Sequence, residues 1–150
     1  STFPSEGKSW VASNLAVTFA QAGKRVLIVD DSSKWVLYHK DAVRQIFKDN
    51  IEIETANSAQ EGVERLMASI DAPYDFILTD MQMEPDFLPL YAGEWLIKQI
   101  RFFKEYKNTK IIIISATGNI RQIAENYQTD YIPKYRCNDL NEYCNKLLNN

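Results

Sequence analysis

Lys110-Ile111-Ile112-Ile113-Ile114-Ser115 sets four consecutive isoleucines between two polar residues. A short β-branched run of this kind is apolar on both faces of the pleat. It therefore suits a strand covered on both sides, as in the middle of a parallel sheet. Two further stretches have the same character, Val26-Leu27-Ile28-Val29 and Phe76-Ile77-Leu78. Ile51-Glu52-Ile53-Glu54-Thr55-Ala56 alternates with period two instead, which predicts a strand with one wetter face at a sheet edge. Tyr131-Ile132-Pro133-Lys134 supplies a last, short strand.

Helical patterns fill the gaps. Residues 34–49 carry Trp35, Leu37, Ala42, Val43, Ile46 and Phe47 as apolar positions, and Ser58 with Glu61 forms a capping box ahead of Val63, Leu66 and Met67. A loop with Pro85 and Pro89 leads into a helix over 92–106, packed through Trp95, Leu96, Ile97, Ile100 and Phe103. Helices over 120–127 and 139–148 complete the pattern. Strands and helices alternate five times, which predicts an α/β domain with a doubly wound parallel sheet. A further helix is expected in front, from Ser5 to Gln21 with Gly23 as its stop, and with Trp10, Leu15 and Phe19 facing the domain.

Composition bounds the function. The 150 residues amount to one domain, and 45% apolar with 12% aromatic residues supports a packed core. The net charge of −3 comes without a basic stripe, so nucleic-acid binding by this segment is not expected. No apolar run approaches the ~20 residues of a membrane span, and no basic start followed by an apolar stretch suggests a signal peptide. Cys137 and Cys144 read as half-buried thiols on one face of the last helix, and the sole histidine, His39, reads as a surface side chain in a charged stretch. Zinc clusters and histidine triads are poor fits, and a reducing cytoplasm is the expected location.

The chemistry gathers at the strand exits. The first strand ends in Asp30 and Asp31, the third in Asp80, the fourth in Ser115 and the fifth in Lys134. In a parallel sheet these exits share one edge, where ligands collect. Three carboxylates there repel one another unless a hard cation such as Mg²⁺ intervenes. With an ammonium and a hydroxyl added, the set suits a phosphoryl group attacked in line by Asp80.

Val29-Asp30-Asp31-Ser32, Thr79-Asp80-Met81-Gln82-Met83, Ile114-Ser115-Ala116 and Tyr131-Ile132-Pro133-Lys134 resemble the signature blocks of bacterial response-regulator receiver domains, over about residues 24–150. That resemblance implies a flavodoxin-like (CheY-like) sheet of order 2-1-3-4-5. It implies that Asp80 accepts a phosphoryl group from a sensor histidine kinase or phosphotransfer protein. Such a domain catalyses its own phosphorylation and dephosphorylation without being a conventional turnover enzyme. Asp30, Asp31, Asp80 and the backbone carbonyl of Gln82 would hold Mg²⁺, and Lys134 would contact the phosphoryl group. Ser115 and Tyr131 would switch a surface read by a downstream effector or a second copy in a homodimer. The sequence departs from the family at Tyr135, where proline is usual, at Glu84, and in the longer stretch Pro85–Gly93.

Residues 1–30 carry a second resemblance. Pro4-Ser5-Glu6-Gly7-Lys8-Ser9, Asn14-Leu15-Ala16 and Gly23-Lys24-Arg25-Val26-Leu27-Ile28-Val29-Asp30 look like the P-loop and following strand of MinD/ParA-type ATPases and bacterial tyrosine kinases. Gly7, Lys8 and Ser9 would grip a nucleotide β-phosphate and Mg²⁺. A P-loop needs a buried strand before it to hold the anion nest, and no such strand is expected ahead of the motif within these residues. Residues 1–23 are accordingly expected to be a structural extension of a receiver domain at 24–150. A nucleotide-binding P-loop protein and a receiver-like interaction module that takes no phosphate are the two alternative readings.

Overall fold

The computed structural model describes residues 23–83 and 91–148. The expected N-terminal helix, the Gly7-Lys8-Ser9 motif and loop residues 84–90 lie outside the described residues. Five strands, β1 (Lys24–Val29), β2 (Ile51–Ala56), β3 (Phe76–Thr79), β4 (Lys110–Ser115) and β5 (Asp130–Pro133), alternate with helices. The helices are α1 (Ser33–Phe47), α2 (Ala59–Ala68), α3 (Ala92–Phe102), α4 (Ile120–Tyr127) and α5 (Leu140–Leu148). All strand pairings are parallel and the order is β2-β1-β3-β4-β5, as the sequence resemblance implies.

The period of two along each strand builds two cores. Leu27, Val29, Ile77, Ile111 and Ile113 face α2, α3 and α4, packing with Leu66, Leu96, Ile97, Ile100 and Ile123. Val26, Ile28, Phe76, Leu78, Ile112 and Ile114 face α1 and α5, packing with Val36, Val43, Tyr143 and Leu147. Each fully buried aliphatic side chain here contributes roughly 1.5–3 kcal/mol of transfer free energy. β2 is at the edge, with Glu52 exposed, as its alternation predicts.

Several local expectations need correction. The helix expected over 92–106 stops at Phe102, because Phe103 takes an extended conformation (φ −87°, ψ 121°) before a 3₁₀ turn at Lys104–Tyr106. Leu37 and Met67, expected to pack, are 65% and 60% exposed. Cys137 is buried just before α5 rather than on it, and only Cys144, half-buried, belongs to that helix. The Ser58 hydroxyl accepts the Glu61 N–H at 3.1 Å, but the Glu61 carboxylate reaches one residue further back, to the Asn57 N–H at 2.7 Å. His39 is not on the surface. It is 2% exposed, on the inner side of α1.

Candidate active site

β1 and β3 lie side by side with Val29 opposite Thr79, so the residues that follow, Asp30 and Asp80, leave the sheet as neighbours. The ladder continues one step past the strands. Asp80 N–H donates to the Val29 carbonyl at 3.0 Å, and Asp30 N–H donates to the Ala56 carbonyl at 3.1 Å. Both backbones are thereby fixed, and both carboxylates are held below the surface, 1% exposed for Asp30 and 6% for Asp80. Asp31, next along the chain, is exposed. One oxygen from each of the three carboxylates lies within 4.8 Å of the others. Two unit charges at that separation repel by about 3 kcal/mol at an effective dielectric of about 20.

Lys134 answers part of that charge. It opens a 3₁₀ turn (Lys134–Arg136) directly after β5, and its Nζ is 3.3 Å from Asp80 Oδ2 and 3.9 Å from Asp30 Oδ2. The indole of Trp35, from the first turn of α1, sits 4.9 Å beneath Nζ and steadies the ammonium by a cation–π contact. Asp80 Oδ1 accepts the Met81 N–H at 2.7 Å, and Asp30 Oδ1 accepts the Ser32 N–H at 2.9 Å.

Balance is still lacking. Burial, followed by the charge of Asp30, raises the Asp80 pKa to about 6, against the opposing pull of Lys134 and the Met81 N–H. Asp30 Oδ2 is buried and has no hydrogen-bond partner among the described residues. An orphaned carboxylate oxygen beside two further carboxylates is a hard, all-oxygen donor set, and it fits Mg²⁺.

The remaining expected residues stand around this centre. Ser115 ends β4, is 1% exposed, and its hydroxyl accepts the Thr117 N–H at 3.2 Å. Tyr131 lies on β5, half-buried against the larger core, with Lys146 Nζ 5.5 Å from its ring. Gln82 is exposed in the loop after Asp80, and Tyr135 is 76% exposed beyond Lys134.

Residues not singled out by the sequence also shape the site. Gly93, in the first turn of α3, donates its N–H to the Met81 carbonyl at 2.9 Å. A Cβ there would stand 2.2 Å from the Asp80 carbonyl oxygen and 2.7 Å from Met81 Cα, so only glycine lets α3 pack under the Asp80 loop. His39 Nε2 is 3.8 Å from Asp30 Oδ2, and its Nδ1 is 2.9 Å from the Tyr143 hydroxyl. Helical spacing from Trp35 and Val36 through His39 to Val43 was the available signal for the histidine.

Residues 26–140 match the family described as response regulator receiver domain. The chain is similar to several solved structures. The phosphorylated cyanobacterial phytochrome response regulator RcpA superposes with a TM-score of 0.68 at 16% identity, covering 84% of this chain and 94% of that one. The chemotaxis response regulator CheY4 of Vibrio cholerae gives a TM-score of 0.65 at 20% identity, covering 83% and 98%. The receiver domain of the histidine kinase CKI1 from Arabidopsis thaliana, complexed with Mg²⁺ and BeF₃⁻, gives 0.61 at 23%, covering 87% and 91%. Among curated proteins, the tyrosine-protein kinase YwqD of Bacillus subtilis is 29% identical over 98 residues. That match takes in 64% of this chain but only 39% of the kinase, so the chain spans about two-fifths of its relative's length.

Proposed function

Because the chain belongs to the response regulator receiver domain family, a family of phosphoacceptor signalling domains, we propose that Asp80 is the acceptor. A carboxylate oxygen of Asp80 attacks the phosphorus of a phosphohistidine on a sensor kinase or phosphotransfer protein. The P–N bond breaks as the P–O bond forms, and the imidazole leaves with the bonding pair. Asp30, Asp31, Asp80 and the Gln82 carbonyl would hold Mg²⁺, which would supply Lewis-acid neutralisation of the phosphoryl oxygens. Lys134 neutralises a further oxygen, and its seat over Trp35 lets it pass from Asp80 to the incoming group. Ser115 donates its hydroxyl to the phosphoryl group. Tyr131 turns inward in response, changing the β4–β5 face that an effector or a second copy reads.

The single observation that carries this reading is the pairing of a buried, incompletely balanced Asp80 with one ammonium at 3.3 Å and two neighbouring carboxylates. A carboxylate in that setting is held in place and only partly neutralised, which suits a nucleophile better than a structural ion pair. Residues 24–150 act as the receiver unit, with 1–23 as an extension. Among the described residues no helix is long and apolar enough to cross a membrane, and a cytoplasmic location is part of the receiver reading.

The test is incubation with MgCl₂ and acetyl phosphate or phosphoramidate, followed by intact mass. The expected result is an acid-stable, base-labile gain of one phosphate that is absent in Asp80→Asn and absent with EDTA. No gain in the wild-type chain, or an undiminished gain in Asp80→Asn, would sink the assignment.

A further inference from the structure

On the side of Asp30 away from the solvent stands a residue that the phosphoryl chemistry above does not use. His39 occupies a core position of α1, between Val36 and Ala42–Val43, where an aliphatic side chain would be the ordinary choice. An imidazole is costly there unless both nitrogens are served. Nδ1 is served by the Tyr143 hydroxyl of α5 at 2.9 Å. The ring is further held by stacking on Trp35, with centroids 5.5 Å apart and planes inclined at 28°. Nε2 faces Asp30 Oδ2 at 3.8 Å, the same oxygen that has no hydrogen-bond partner among the described residues.

For a neutral imidazole that arrangement decides the tautomer. A lone pair on Nε2 pointing at a carboxylate oxygen would be repulsive, so the hydrogen sits on Nε2. Nδ1 is then the acceptor and Tyr143 the donor. The result is an aimed N–H, braced from a second helix, at rather more than hydrogen-bond distance from the buried Asp30 Oδ2. A cation on the solvent side of Asp30 needs that carboxylate held in one orientation, and groups behind a ligand commonly do this.

We propose that His39 is a positioning residue for Asp30. Its Nε2–H orients Oδ2 when a divalent cation is bound, and Tyr143 anchors the ring so that α5 is tied to the metal side of the site. This rests on the reading of Asp30 as a metal ligand, and the experiment separates the two. The probe is MgCl₂ alone, titrated into the whole chain and followed by the amide NMR resonance of Met81, whose N–H touches Asp80 Oδ1.

The wild-type chain is expected to bind. His39→Leu should weaken the Mg²⁺ affinity about tenfold, the low end of what loss of a group behind a metal ligand costs. Tyr143→Phe should weaken it about threefold, while His39→Gln, whose amide N–H has a similar reach, recovers most of the loss. The maximal rate of labelling by acetyl phosphate at saturating Mg²⁺ should stay within twofold, since His39 acts on the cation's hold and not on the phosphoryl group. Should His39→Leu fail to fold, Tyr143→Phe decides, and an unchanged affinity in it overturns the proposal. So does a folded His39→Leu that binds Mg²⁺ within twofold of wild type, or a His39→Gln as weak as His39→Leu. A wild-type chain that shows no Mg²⁺-dependent shift overturns the metal reading of Asp30 and this inference with it.

Discussion

The two ends of the sheet each gather buried or half-buried charge, and they treat it in opposite ways. At the N-terminal edge, Arg25 of β1 donates to Glu52 and Glu54 of β2 and to the Ala72 carbonyl, and lies 4.7 Å from the Tyr74 ring centroid. The Tyr74 hydroxyl donates to Glu54 at 2.9 Å and accepts from Ser69 at 3.2 Å, while Thr109 donates to the Tyr74 carbonyl at 2.7 Å. Every polar group named there has a partner, and Glu52 keeps contact with water. At the C-terminal edge Asp30 is 1% exposed and keeps an orphaned oxygen, and Asp80 has its pKa raised to about 6. Both edges hold more carboxylates than cations in these clusters, so the count of charges does not separate them. Burial and satisfaction do. A cluster whose hydrogen bonds close on themselves is structure, whereas one that leaves a buried charge open is built for something that arrives from outside.

The largest effect expected on this comparison comes from closing the acidic edge sterically. In Gly93→Ala the new methyl meets two backbone atoms, the Asp80 oxygen and Met81 Cα, neither of which can rotate away. A loss of about 3 kcal/mol in urea unfolding is expected, together with loss of phosphate uptake, because the end of β3 must move. Gly62→Ala is the matched control. Its Cβ meets side-chain methyls, those of Leu96 at 3.3 and 3.4 Å and Val29 Cγ2 at 3.5 Å, and the helix gains propensity, so stability should stay within about 1 kcal/mol. Equal losses in the two variants would show that the Asp80 loop has no special closeness to α3.

Next comes removal of the open charge itself. The Asp80 pKa moves from 3.8 to about 6 on folding, so between about pH 4 and 6 the folded chain keeps a proton that the unfolded chain has released. Stability therefore falls as pH rises through that window, and above it the ionised carboxylate costs about 3 kcal/mol. Asp80→Asn escapes this cost and gives up the ion pair with Lys134. It should be about 2 kcal/mol more stable than wild type at pH 7.5 without divalent cations. The advantage should vanish near pH 4 and shrink when MgCl₂ is added, since a cation bound at the cluster would stabilise the wild type more. A variant less stable than wild type at pH 7.5 would mean that the cluster is already balanced.

The acidic side of this contrast is legible in the sequence, whereas the Arg25 cluster is not. Strand exits can be read from local pattern, so Asp30, Asp80, Ser115 and Lys134 fell on one edge once the parallel alternation was recognised. The helix faces were harder. In α1 the expected stripe included Leu37, which points to water, and left out His39, which points inward. A charged neighbourhood is a local signal, but a core histidine depends on partners that are distant in sequence, Tyr143 being 104 positions away. Gly93 was unreadable for the same reason, because the atoms it must clear belong to Asp80 and Met81 on another element. Cys137 was assigned to a helix that begins only at Leu140, since the 3₁₀ turn after Lys134 leaves no apolar period to mark it.

The smallest effect should come from the edge whose interactions are complete. Arg25→Met keeps much of the side chain's length and apolar stem but removes the guanidinium, leaving the Ala72 carbonyl without its Arg25 donor and Glu54 with the Tyr74 hydroxyl but no guanidinium. The Arg25 side chain is 13% exposed and those of Glu52 and Glu54 are 62% and 30% exposed. Water can therefore take over much of what Arg25 supplied, and the loss falls between a surface ion pair and a buried one, about 1–2 kcal/mol by chemical denaturation. The sign is opposite to that of Asp80→Asn, and phosphate uptake from acetyl phosphate should be unchanged because the mutation lies at the far end of β1. A stabilised Arg25→Met would place the N-terminal cluster in the same class as the acidic one, as charge held against the fold's interest. A destabilised variant with normal uptake would separate the two edges, with Arg25 serving the fold and Asp80 serving a ligand at the fold's expense.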